Sequence, residues 1–257
     1  NDSTATTTQS VTGISLAIGS SNTIALYPRS QDVTLNLNGI DRQAGSTLNI
    51  VYGSAGVGIP SVTTTSTNVN GILGAYAVVN SSSWAAVSSL IPTYIGEYAD
   101  YKYDDFTTPA GNVDVSAAPG TALATTTVNT LRFGTSATIN LALAGRLTLQ
   151  GGGILVAPQV GANTITISGS SLTGTIAAAG ELIIHQYNTA APLTISSVIA
   201  DQTTSTNLTQ LIKTGPGTLI LSANNTFTGG LRIEEGTVKF AINNTLFGVV
   251  IMGVAGV

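Results

Sequence analysis

The chain has 257 residues, enough for one or two domains with a sizeable core, and 43% of them are hydrophobic, which excludes a disordered polymer. Only 8% are charged, against about 25% in an ordinary globular protein, and the formal net charge is −4. The eight Lys and Arg lie scattered from Arg29 to Lys239, which leaves no basic patch for nucleic acid or an anionic membrane, and the lack of cysteine excludes disulfides and thiolate metal sites.

Solubility then rests on Thr, Ser and Asn, which hydrogen-bond water without carrying charge. Helix formers such as Glu, Lys, Arg and Gln are scarce, while glycine occurs 29 times. That balance favours short strands joined by tight turns.

Along the chain, apolar and polar residues alternate in short bursts. The first are Ile24-Ala25-Leu26, Val33-Thr34-Leu35-Asn36-Leu37 and Leu48-Asn49-Ile50. Then follow Ile139-Asn140-Leu141, Leu147-Thr148-Leu149, Ile165-Thr166-Ile167, Leu193-Thr194-Ile195, Leu219-Ile220-Leu221, Leu231-Arg232-Ile233 and Val238-Lys239-Phe240. Period-two alternation puts one set on each face of a strand. Asn38-Gly39, Gly151-Gly152-Gly153, Ala223-Asn224-Asn225 and Gly229-Gly230 punctuate the bursts as turns. The Gly triplet precedes a strand and lacks a following Lys-Ser/Thr, so it is expected to be a turn and not a phosphate cradle.

Internal echoes favour a solenoid over a sandwich. Gly145 to Val156 superposes on Gly229 to Phe240, and Thr164 to Ser168 echoes Thr218 to Ser222. Gly45 to Ile50 is a third echo. Stacked coils at the strand spacing of about 4.8 Å put apolar columns inside and Thr and Asn outside. The expected fold is all-β, a right-handed parallel β-helix with an irregular Tyr/Asp-rich insertion. Its expected divisions are 1–67 (N-terminal coils), 68–114 (insertion) and 115–257 (β-helix, with a repeat at 213–240).

The insertion holds Trp84, expected to be buried, and five of the eight tyrosines: Tyr76, Tyr94, Tyr98, Tyr101 and Tyr103. It also holds Glu97, Asp100, Asp104 and Asp105, with Asp114 shortly after. Clustered oxygens can hold Ca²⁺, although Asp-x-Asp-x-Asp-Gly spacing is absent and Lys102 intervenes. Tyr94, Tyr98, Tyr101 and Tyr103 could instead contact a partner or stack on sugar rings. The single histidine, His185, reads as an outward-facing strand residue. One His and no Cys exclude zinc and Ser-His-Asp chemistry. Glu234 and Glu235 are strand neighbours pointing to opposite faces, so they make a poor glycosidase pair and read as a solvated strand end. Asn80, Asn207, Asn224 and Asn243 fall in glycosylation sequons, which in so Asn- and Thr-rich a chain arise by chance.

Lys213 to Phe240 reads KTGPGTLILSANNTFTGGLRIEEGTVKF. This segment resembles the autotransporter-associated β-strand repeat of bacterial passenger domains. The residues that carry the resemblance are Lys213, Gly215, Gly217, Thr218, Leu219, Leu221, Ser222, Asn225, Phe227, Gly229, Gly230, Ile233, Gly236 and Val238. Gly71 to Ala85, GILGAYAVVNSSSWA, is similar to a stretch that precedes such repeats. The resemblance implies a right-handed β-helix displayed at the bacterial surface, and it brings no catalytic residues. The outer-membrane barrel usual in that family is not within these residues. Asn1 reads as a mature terminus or as the start of a fragment, and Leu246 to Val257, too short to span a membrane, as one or two more strands.

The expected function is therefore an extracellular, non-enzymatic structural or adhesive protein that associates with itself into a filament, sheath or surface layer. The alternative is a β-helix that binds or degrades polysaccharide.

Overall fold

The computed structural model describes residues 6–89, 93–174, 180–202, 208–242 and 249–252. The described residues are all-β, with strands stacked in parallel as the turns of a β-solenoid. Among the described residues the one helical element is the 3-10 turn Pro158–Val160, and no helix is long and apolar enough to cross a membrane. Contacts divide the chain into two units, Asn1–Ala99 and Asp100–Val257.

In the first unit three ladders run in parallel. Thr7–Ser10, Val33–Asn36 and Pro60–Thr63 form one, and Ile14–Leu16 with Ile40–Arg42 a second. Ser21–Leu26, Thr47–Tyr52 and Ala77–Val79 form the third. The register pairs Thr7 with Val33 and Ile14 with Ile40, a step of 26 residues per turn. Alternation places Ile24, Ile50 and Val79 in one column, and Leu16, Leu26, Leu37, Leu48 and Val62 join the same core. Each fully buried aliphatic side chain contributes about 1.5–3 kcal/mol.

The parallel stack then ends in a hairpin. Asn80 and Ser81 both take positive φ (53° and 57°), and Ser83–Val87 folds back antiparallel on Ala77–Val79. Two consecutive left-handed residues make the tight turn whose twist matches a hairpin, and asparagine tolerates that conformation. Ile95–Glu97 adds a further antiparallel strand. Trp84 is fully buried. The division between the two units, at Ala99 and Asp100, falls within the segment 68–114.

The second unit has two long ladders. One runs from Lys102–Tyr103 through Asn112–Asp114, Thr126–Phe133, Leu147–Val156, Glu181–Gln186, Gln210–Thr214 and Leu231–Ile233 to Val250–Met252. The other runs Ile139–Leu143, Ile165–Gly169, Leu193–Ile195, Thr218–Leu221 and Thr237–Phe240. The registers stack Ile139, Ile165, Leu193, Leu219 and Val238 into one column and Leu141, Ile167, Ile195, Leu221 and Phe240 into another. Thr166 and Thr194 occupy the alternate, outward positions. Thr164–Ser168 and Thr218–Ser222 do occupy the same ladder two turns apart.

Three sequence expectations need correction. Gly151-Gly152-Gly153 is no turn: the strand continues from Leu147 to Val156, and the register slips opposite Asn129 as a bulge, with Gly152 at φ 73°. For the same reason Gly145–Val156 does not superpose on Gly229–Phe240. The first stays in one ladder, whereas Gly236 (φ 77°) turns the chain so that Leu231–Ile233 and Thr237–Phe240 lie in different ladders. Third, His185 alternates with the core residues Leu182 and Ile184, so it does face outward, but it is fully buried, with Tyr187 stacked on it at 6.0 Å.

Candidate functional site

The carboxylates and tyrosines between 94 and 114 fall in both units. Tyr94, Glu97 and Tyr98 belong to the first. The ring of Tyr94 lies beside Gly96, where a Cβ would stand 2.9 Å from it, and is exposed. Glu97 is exposed and accepts a hydrogen bond from Asn80 Nδ2 at 3.0 Å. Tyr98 is half-buried over Gly71, and its N–H donates to the Trp84 carbonyl at 2.8 Å.

The others belong to the second unit. Asp100 pairs with Lys102 at 3.5 Å; both side chains are exposed, so water and salt screen the pair. Asp104, at φ 52°, accepts from the Ser116 N–H (2.7 Å), the Ala117 N–H (3.2 Å) and the Ser116 hydroxyl (2.5 Å). Asp105 accepts from the Thr107 N–H (2.8 Å), the Thr107 hydroxyl (2.6 Å) and the Thr108 hydroxyl (2.6 Å). Those bonds, the Thr107 hydroxyl foremost, hold its carboxyl down at about 2. Asp105 thus spends its oxygens on its own loop, and Asp104 spends its oxygens on the residues that follow the adjacent strand Asn112–Asp114. Among the described residues, no group of three or more His, Cys, Asp or Glu gathers in a way that could hold a metal ion.

The four tyrosines also differ in availability. Tyr103 and Tyr94 are exposed. Tyr101 is buried, and the Arg132 guanidinium sits 5.0 Å from its ring centroid. Arg132 also donates to Asp114, which lies beside it in register and is buried. Burial pushes the Asp114 carboxyl up, and Arg132 opposes that shift.

The described surface also carries an open depression over Gly13–Ser15, Gly39–Asp41 and Ser66. It holds one carboxylate, Asp41, already hydrogen-bonded by Gln43 at 3.2 Å, and so no acid–base pair. Glu234 and Glu235 follow the strand Leu231–Ile233. The sequons at Asn207 and Asn243 lie outside the described residues, as do most of Leu246 to Val257; Asn224 is exposed.

Two charged groups that tie neighbouring turns together escaped sequence reasoning, one half-buried and one fully buried. Asp201 bridges turns: Oδ1 accepts from the Thr209 N–H (2.6 Å) and the Thr228 N–H (3.1 Å), Oδ2 from the Thr228 hydroxyl (2.6 Å). Lys213 is fully buried, and its ammonium donates to the carbonyls of Thr214 (3.0 Å), Gly215 (2.6 Å) and Glu235 (3.0 Å). Nothing in an alternation pattern distinguishes such a lysine from a solvated one; its only signal is its place at the head of the repeat.

Comparison with known proteins agrees with the stacked architecture. Residues 211–240 match the family described as Passenger-associated-transport-repeat. Over 248 residues, 90% of this chain, the sequence is 31% identical to "Adhesin BmaC autotransporter" of Brucella suis biovar 1 (strain 1330). The match covers 7% of that relative's length. No solved structure matches the chain.

Proposed function

We propose that this chain, a β-solenoid of the bacterial cell surface bearing an autotransporter passenger repeat, acts as a non-enzymatic adhesive segment. The single observation that carries the reading is the 31% identity, across 90% of the chain, to a protein named an adhesin. The chemistry of the surface supports it. Acidic groups at 100–105 are engaged in loop hydrogen bonds or an exposed ion pair, and the depression at Gly13–Ser66 holds one carboxylate where hydrolysis would need two. A nearly uncharged surface of hydroxyls and amides contacts partners by many weak hydrogen bonds, with little electrostatic steering.

Self-association into filaments, a sheath or a layer belongs to the same proposal. Stacked strands leave unpaired backbone groups at the terminal strand of a ladder, which template a further strand. A second reading, contact with surface glycans, is favoured by one observation: the Tyr94 and Tyr103 rings are exposed while Tyr101 is not.

The test is display of residues 1–257 on a non-adherent bacterial strain through a heterologous outer-membrane anchor. Adherent bacteria are then counted on epithelial monolayers. More adherence than anchor alone supports the proposal; equal counts overturn it. A polysaccharide digestion screen that releases product would replace it with the enzymatic reading. Electron microscopy of the purified chain reports filaments or single particles.

A further inference from the structure

In the second unit one inward column reads Leu131, Ile154, Ile184, Lys213 and Ile233 along the ladder. Four apolar residues and one lysine thus share equivalent core-facing positions. A charge buried without partners is strongly unfavourable, so the site must satisfy it. It does so with three carbonyl oxygens at 2.6–3.0 Å, one for each ammonium hydrogen. Thr214 and Gly215 supply two from the lysine's own turn; Glu235 supplies the third from the next turn. Gly236 forms a wall: a Cβ there would stand 2.8 Å from the Lys213 Nζ and 2.5 Å from the carbonyl oxygens of both Gly215 and Gly217. Any side chain at position 236 would therefore crowd the ammonium head and the carbonyls beside it.

We infer that these carbonyls form a cation cradle, that Lys213 fills it as a tethered cation clasping two successive turns, and that the emptied cradle accepts a small free ammonium ion. All three acceptors are neutral carbonyls. The charge and size of the cradle therefore suit a monovalent ammonium ion, whereas divalent cations draw carboxylate ligands. Burial lowers the lysine to about 8, with the Glu235 carboxylate opposing the shift, so the clasp is charged at neutral pH. The repeat's pattern gains a physical reading: the lysine supplies the cation, and the glycine at 236 leaves room for it.

The experiment uses the chain of residues 1–257. Lys213→Ala empties the cradle, and Lys213→Met fills the volume without the charge. Both variants are expected to melt lower than the parent by about 5 °C or more, because the carbonyls lose their donor. Methylammonium is expected to raise the melting temperature of Lys213→Ala but not of Lys213→Met or the parent, and tetramethylammonium, with no N–H, is expected to raise none. Parent-like melting of both variants, or no response of Lys213→Ala to methylammonium, overturns the inference. If neither variant folds, NMR of the parent decides. Couplings across hydrogen bonds from the Lys213 Nζ to the carbonyl carbons of Gly215 and Glu235 support the cradle. A freely exchanging Nζ like that of Lys239 refutes it.

Discussion

Gly236→Ala is the substitution whose cost the structure defines most sharply. The residue has φ 77°, where an L side chain costs about 1–2 kcal/mol. Its new methyl would stand 2.5 Å from two backbone oxygens, on Gly215 and Gly217, which cannot swing aside as a side-chain tip would. Relief requires the turn 231–240 to lift from the turn 210–221. That strains the Thr237 N–H bond to the Gly217 carbonyl (3.3 Å) and the Lys213 bond to Glu235 (3.0 Å). Losing good partners for buried polar groups adds about 1–3 kcal/mol. The sum, about 2–5 kcal/mol, lowers the melting temperature by about 4–20 °C if the unit unfolds cooperatively. The control is Gly39→Ala, whose Cβ would meet nothing within 4 Å. The assay is calorimetry of both variants, with hydrogen exchange at Glu234, Thr237 and Ala241, whose N–H groups bond to Lys213, Gly217 and Leu221. Indistinguishable melting of Gly236→Ala and Gly39→Ala would show that no close backbone contact limits position 236.

Further expectations follow from buried charge. Between pH 8 and 10 the unfolded chain holds the Lys213 proton and the folded chain releases it, so stability should rise with pH there by roughly 3 kcal/mol at most; Lys213→Met removes the rise. Above pH 10 the trend should reverse. Burial raises Tyr52 to about 12 and raises Tyr76 and Tyr187 as well, so the unfolded chain loses those protons first; urea titrations across this range read both limbs. Arg132→Ala leaves Asp114 buried without its cation and uncovers Tyr101, and should cost about 3–5 kcal/mol in chemical denaturation; adding Asp114→Asn should recover part of it. Calcium should leave the melting temperature unchanged, because Asp104 and Asp105 already accept bonds from Ser116, Ala117, Thr107 and Thr108; a rise with millimolar Ca²⁺ would show that the loops reorganise around the ion.

The strands were legible because alternation is a property of neighbouring residues. Ile139-Asn140-Leu141 and Leu193-Thr194-Ile195 state their own inward and outward faces, and both fall in strands of one ladder. The repeat at Lys213–Phe240 was legible because glycines at fixed offsets mark where backbones touch. What failed depended on the neighbouring turn. Gly151-Gly152-Gly153 looks like a turn until Asn129 is placed opposite it, where a Cβ on Gly151 would stand 2.8 Å from the Asn129 Oδ1. Alternation gives the face of His185, but pattern cannot say whether an outward face is covered, and this one is. Lys213 reads as part of a motif and not of the core, because alternation is read from polarity and a lysine breaks the pattern, yet here it is fully buried. Sequence also counts carboxylates without showing their hydrogen-bond donors; Ser116, which donates to Asp104, lies 12 residues beyond it.

Adhesion by this solenoid can be read from the retention of beads bearing the purified chain on living epithelial cells. An adhesive surface should hold beads well above the albumin-coated level, saturably by free chain and without change on Asp105→Ala, whose carboxylate serves only its loop. Retention equal to albumin, with a folded chain verified on the same beads, would contradict it.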